Sequence, residues 1–196
     1  MVALEEELIM IRNLFLLMAV CLLQISCTTT VLKMGADGKP LPNVYRIDVN
    51  DIIRMQFRVL DSVNAIRTSN GKKSLTLDSK LTAAAKTHSR DMSVQNRAWH
   101  FGSDGSSPLD RVRRFNYAGA LVGENISETY ETELETLSAW VKRKDTRNIL
   151  LSSKAKKLGF GYFQEPSGKI WWTLITGDQI YLRKNIDFCI CFYHPI

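Results

Sequence analysis

Residues 157–176 read KLGFGYFQEPSGKIWWTLIT. Apolar and polar or small residues alternate through KLGFGYF, proline and glycine punctuate EPSG, and KIWWTLIT is dense in β-branched and aromatic side chains. That order predicts a β-hairpin turning at Glu165–Gly168. Upstream, the period is different. From Ile53, the positions Phe57, Leu60, Val63 (or Asn64) and Ile66 recur at helical spacing, and Gly71 closes the segment. Asp78 can cap a second helix with Leu81, Ala84, Ala85, His88 and Met92 on its buried face. Ser107-Pro108-Leu109-Asp110 supplies a cap, a proline at the first helical position and an acid at the third, so a short helix is expected to about Asn116. Thr132-Glu133-Leu134-Glu135 repeats the capping pattern and opens a helix with Leu134, Leu137 and Val141 on one side. Helices first and strands late is an α+β order, in which helices must cover a small antiparallel sheet.

The chain has 196 residues, 45% apolar and 23% charged, which is ordinary for one globular domain. Its first segment is not read as fold. From Met10 the chain runs MIRNLFLLMAVCLLQISCTTT: one positive charge at Arg12, an apolar run from Leu14 to Ile25, then Ser26 and Cys27. This is the layout of a secretory signal peptide, and the run is short for a membrane span. Glu5, Glu6 and Glu7 stand where a signal wants positive charge, which favours Met10 as the true start. An uncleaved N-terminal anchor is the alternative.

The cleavage region resembles the lipobox of bacterial lipoproteins, whose cysteine is acylated. It departs from the usual pattern, with Gln24 three places before Cys27 and Leu23 one further out. Lipid attachment at Cys27 is therefore weighed against plain secretion. The expected division is a signal over 1–26, a tether over 27–50 rich in turn formers, a folded domain over 51–178 and a tail over 179–196. The hairpin can complete the sheet without the tail, although FCICFY within it could add an edge strand. Cys189 and Cys191 are read as apolar residues of that segment rather than metal ligands, since only His194 lies near them. No disulfide framework is expected.

Removal of residues 1–26 takes away Glu5, Glu6, Glu7 and only one cation, Arg12, so the formal charge of +6 becomes more positive. A basic exported domain favours anionic partners such as lipid head groups, wall polymers or acidic glycans, and nucleic acid is not an expected partner there. The alternative is a surface charge that only keeps the domain soluble.

Several separated motifs then resemble one family. VNAIRTSNGKKSLTLDSKLTAAAKTHSRDM, WHFGSDGSSPLDRV, VGENI, AW and LGFGYFQEPSGKIWWTLITGD occur in the order seen in bacterial CAP domains, the relatives of cysteine-rich secretory, antigen 5 and pathogenesis-related proteins. The resemblance covers about residues 52–178 and implies a three-layer α-β-α sandwich with a cleft over the sheet. In many members that cleft holds two histidines and two acids able to bind a divalent metal. By position, the first histidine is His100 and the first acid Glu124. The other two places, after the tryptophan of the AW helix, hold Arg143 and Thr146. A slip of one brings Asp145 or Arg147 into play, and no slip brings a histidine.

Half of that tetrad is missing. Two ligands beside a guanidinium hold a cation poorly, so no metal and no cofactor is expected, and a histidine at Thr146 would restore a third ligand. His100 and Glu124 are either a hydrogen-bonded pair stitching two loops or a polar anchor for a ligand, with Arg143 and Thr146 lining the same place. His88, between Ala84 and Met92 on an apolar face, reads as a core histidine. No phosphate loop or serine elbow is present. Gly123 is expected to aim Glu124, either through an unusual backbone conformation or by close approach to a neighbour. Gly159 and Gly161 leave one strand face bare for a helix or ligand. The leading functional expectation is a non-enzymatic envelope module binding a lipid, peptide or glycan. A hydrolase using His100 and Glu124 with a metal, and a structural protein with a vestigial cleft, are the alternatives.

Overall fold

The computed structural model describes residues 44–129 and 131–178. The expected signal, most of the tether, and the tail with Cys189, Cys191 and His194 lie outside the described residues, as does Cys27.

After a 3-10 turn at Val49–Asp51 come α1 (Ile52–Ser69), β1 (Thr76–Leu77), α2 (Ser79–Gln95), α3 (Pro108–Arg114), β2 (Leu121–Thr129), α4 (Glu133–Lys142), α5 (Lys144–Leu150), β3 (Lys157–Gln164) and β4 (Ile170–Gly177). The sheet order is β1-β3-β4-β2. Both β2 and β3 run antiparallel to β4, whereas the two-residue β1 pairs in parallel with β3, so the sheet is mixed rather than purely antiparallel. No described helix is long and apolar enough to cross a membrane.

The hairpin is the centre of the fold. Every residue of β4 is buried, which is why its sequence is nearly continuous in apolar side chains. One face carries Phe160, Ile170, Trp172 and Leu174 against Met55, Val59, Leu137, Trp140 and Leu150. The Phe160 and Trp172 rings stack there at 5.5 Å. The other face meets α2 and α3 through Leu81, Ala84, Ala85, Val112 and Ile175. The glycines of β3 set that second spacing: a Cβ on Gly161 would lie 2.3 Å from the backbone nitrogen of Lys86, and one on Gly159 2.2 Å from the carbonyl carbon of Leu81. A helix, not a ligand, occupies the bare face.

The caps form as the sequence expects. Asp78 accepts from the amides of Lys80 and Leu81, and capping boxes close at Ser107/Asp110 and Thr132/Glu135. Gly71, at φ +66°, follows the end of α1.

Two helical phases differ from expectation. Leu60 and Val63 are buried and Ile66 packs on the core as expected, but Ile53 and Phe57 are 68% and 50% exposed, and Met55, Val59 and Arg67 take the remaining inner places of α1. Apolar residues lie on two sides of α1, so periodicity alone does not select the inner one. Arg67 helps to lock the choice, donating to the carbonyls of Lys73 at 2.8 Å, Leu150 at 2.6 Å and Ser152 at 3.1 Å. In α4, Leu134 is 42% exposed because Glu133 takes the inward place and receives Arg58 and the Tyr45 hydroxyl. Residues 44–50, expected in the tether, contact the domain: the Gln164 side chain bonds the backbone of Tyr45 and Ile47.

Candidate functional site

His100, Glu124, Arg143 and Thr146 line one cleft of about 650 Å³, together with Trp99 and Trp140. Three separate pieces of chain supply them. His100 follows α2 in a loop, Glu124 lies on β2, Arg143 is the junction of α4 and α5, and Thr146 is in the first turn of α5.

The placement of Glu124 starts at Gly123. Its φ is not positive; the close-approach reading holds instead, because a Cβ there would meet Ile149 of α5 at 2.9 Å. The β2–β4 register also shifts between Leu121 and Gly123. Strand β2 was not expected from periodicity, because LVGENISET does not alternate apolar and polar side chains.

Both oxygens of Glu124 are engaged. His100 Nδ1 lies 2.9 Å from its Oε1, and the carboxylate makes Nδ1 the protonated nitrogen. Arg111, on α3, donates through Nη2 to Oε1 at 2.9 Å and to Oε2 at 2.8 Å. The same nitrogen reaches the His100 carbonyl at 2.9 Å, so one guanidinium ties the loop bearing His100 to the strand bearing Glu124. The Arg111 and Glu124 side chains are 5% and 2% exposed, whereas that of His100 is 52% exposed.

Arg111 was missed in the sequence. It sits among Arg113 and Arg114 and resembles them in composition, but α3 turns it inward beside Val112. His88, read as a core histidine, is fully buried and holds Trp99 O from Nε2 at 2.9 Å. It is also 3.7 Å from Glu124. Burial pushes the His88 pKa down despite the opposing pull of Glu124, so the ring is neutral at pH 7.

The two non-tetrad positions are occupied with local work. Arg143 pairs with Asp145 at 2.8 Å. Its backbone is extended (φ −91°, ψ 134°), which breaks WVKRKDTRNILL into two helices. Thr146 Oγ1 donates to Trp140 O at 2.6 Å. Asn125, next to Glu124, donates to Thr146 O at 3.1 Å, and its Oδ1 has no partner among the described residues.

These donors do not fit a divalent metal. Both oxygens of Glu124 already accept from the Arg111 guanidinium, whose positive charge would oppose a cation beside them. Among the described residues, no group of three or more His, Cys, Asp or Glu side chains could hold one.

Comparison with known proteins agrees with the fold. The chain is 32% identical over 120 residues to the uncharacterized protein YkwD of Bacillus subtilis (strain 168), covering 61% of this chain and 46% of that protein. It therefore spans less than half the length of this relative. Among solved structures, an extracellular SCP-domain protein of Bacillus anthracis str. Ames superposes with a TM-score of 0.61 at 22% identity, over 69% of this chain and 45% of that one. An outer surface protein of Borrelia burgdorferi gives 0.57 at 15% identity, over 70% and 99% of the two chains. At these identities the structures show the fold alone. The model of the cysteine-rich secretory protein family, CAP, matches residues 60–176, and the chain belongs to that family.

Proposed function

We propose that the protein is an exported cell-envelope binding module that holds a lipid, peptide or glycan in the His100–Glu124 cleft without converting it. The engagement of Glu124 carries this reading. A general base must take up a proton, and a proton on Glu124 would disturb the contacts that Arg111 makes with both its oxygens and that His100 makes with Oε1. The cleft's volume of about 650 Å³ is of ligand size. Its walls combine Trp99, Trp140 and Ile149 with the exposed side chains of His100 and Arg143 and the buried amide of Asn125. That mixture suits a partly apolar ligand fixed by a few polar contacts.

Solved relatives of this fold are described as extracellular or outer surface proteins, which supports export. In this reading Cys27 carries a lipid anchor on the membrane, and the basic mature chain lies against anionic envelope polymers. Each buried acyl methylene contributes about 0.8 kcal/mol, so several chains hold firmly. Cys27→Ser should release the protein from membranes, and a variant that still partitions with them would overturn the lipid anchor.

Native mass spectrometry of the purified mature domain tests the cleft. The expected result is an organic ligand that stays bound through gentle desolvation and is lost in His100→Ala, which removes a half-exposed side chain of the cleft. Stoichiometric divalent metal would overturn the reading in favour of a metal-dependent hydrolase.

A further inference from the structure

A second cavity, of about 190 Å³, lies beneath the Gly102–Ser107 loop and against α2 and α3. The Arg111–Glu124 pair separates it from the cleft, since Arg111 lines this chamber and Glu124 lines the cleft. His88 and Arg111 are both buried, and each keeps one polar atom without a partner among the described residues: His88 Nδ1 and Arg111 Nε.

Those two atoms make opposite demands. A carbonyl oxygen only accepts, so the contact with Trp99 O places the proton of the neutral His88 ring on Nε2. Its Nδ1 is then an acceptor in search of a donor. Arg111 Nε is a donor in search of an acceptor. A single group in reach of both would have to donate and accept at once.

The surroundings argue against ions. The guanidinium groups of Arg111 and Arg114 line the chamber and oppose a cation. The lone pair of His88 Nδ1 opposes an anion, as do the carboxylates of Asp91 and Asp104. Those acids are already engaged: Asp91 accepts from Ser103 and Gln95, and Asp104 from Arg114 and Ser106. A neutral amphoteric group is left.

We propose that this chamber binds a hydroxyl group, which donates to His88 Nδ1 and accepts from Arg111 Nε. Water occupies about 30 Å³ in the liquid, so the space suits a few waters or one small polyol, and the hydroxyl is the chemistry they share. The consequence reaches the cleft. His88 holds the carbonyl of Trp99 and Arg111 holds that of His100, so a bridging hydroxyl joins the two clamps on the segment that presents His100.

The test is nitrogen NMR of the full mature chain with labelled histidine side chains. For His88 we expect a protonated Nε2 and an unprotonated Nδ1 shifted upfield of a free imine nitrogen. Thr87 is exposed at the chamber wall, so Thr87→Met adds bulk there with the core untouched. The upfield shift should disappear in that variant while the rest of the spectrum stays native. Glycerol titration separates the two sources: a saturable change at His88 Nδ1 identifies a polyol, and a constant signal with water contacts at Thr87 identifies water. A protonated Nδ1 at neutral pH, a free imine signal in the natural protein, or an upfield shift that survives Thr87→Met would each overturn the proposal.

Discussion

Arg111 Nη2 sits 2.9 and 2.8 Å from the two carboxylate oxygens of Glu124, with both side chains out of water. A buried carboxylate stripped of such a partner is costly, whereas a pair neutralised together is not. Arg111→Met should therefore destabilise by about 3–5 kcal/mol, and Arg111→Met with Glu124→Gln should destabilise by clearly less than the two single changes summed. Urea unfolding of the four proteins measures the coupling. Simple additivity would mean that the pair does not restrain the fold.

His100 is different because its side chain is half exposed and solvent weakens its bond to Glu124. His100→Ala should cost about 1 kcal/mol or less. A loss near that of Arg111→Met would show that the histidine, rather than the arginine, stitches the loop to β2.

Zinc should leave the melting temperature of the natural protein unchanged, since linkage stabilises only at concentrations well above the dissociation constant. From the sequence, Thr146→His alone was expected to supply the missing ligand. The structure changes that expectation, because Arg111 still occupies Glu124 in the single variant. A zinc-dependent rise is expected only when Thr146→His is combined with Arg111→Met. Scanning calorimetry with and without zinc decides, and a rise in the natural protein would contradict the donor set described above.

The buried His88 makes a prediction about pH. Its pKa is depressed below the ordinary 6.5, so the unfolded chain takes up a proton before the folded one does. Stability attributable to this residue is complete above pH 6.5, declines as pH falls below it, and is lost as pH passes through the depressed folded value. The carboxylates whose pKa values are lowered from 3.8 or 4.5, among them Asp51, Asp110 and Glu165, act only in more acid solution. Urea midpoints between pH 7.5 and 5 should fall in the natural protein and flatten in His88→Gln. An equal slope in the variant would assign the effect elsewhere.

Gly161→Ala places a methyl 2.3 Å from Lys86 N and 2.7 Å from the Ala85 carbonyl carbon, both backbone atoms of α2. The helix must lift from the sheet, and a loss of about 1–3 kcal/mol is expected in thermal unfolding. Gly105→Ala meets nothing within 4 Å and suffers only from its φ of +76°, so its loss should be smaller. The reverse order would show that α2 does not rest on β3 as described.

Local chemistry was legible in the residues themselves. The alternation of residues 157–176 specified the hairpin, and Asp78, Ser107 and Thr132 specified three helix starts, because a cap is made by atoms only a few residues apart. Even the closeness of His100 and Glu124 followed, through family resemblance. What the residues alone left open was rotation and partnership. Ile53 and Phe57 fit a helical period as well as Met55 and Val59 do, and only docking on Phe160 and Trp172 decides which pair faces inward. Arg111 could not be told from Arg113 or Arg114 until α3 met β2 and turned one guanidinium of the three toward Glu124. Burial and charge pairing are properties of elements brought together from distant parts of the chain. For that reason the hairpin and four helix starts were readable from the residues, whereas β1, β2, the break at Arg143 and the pairing of a buried arginine with Glu124 arise only when distant elements pack together.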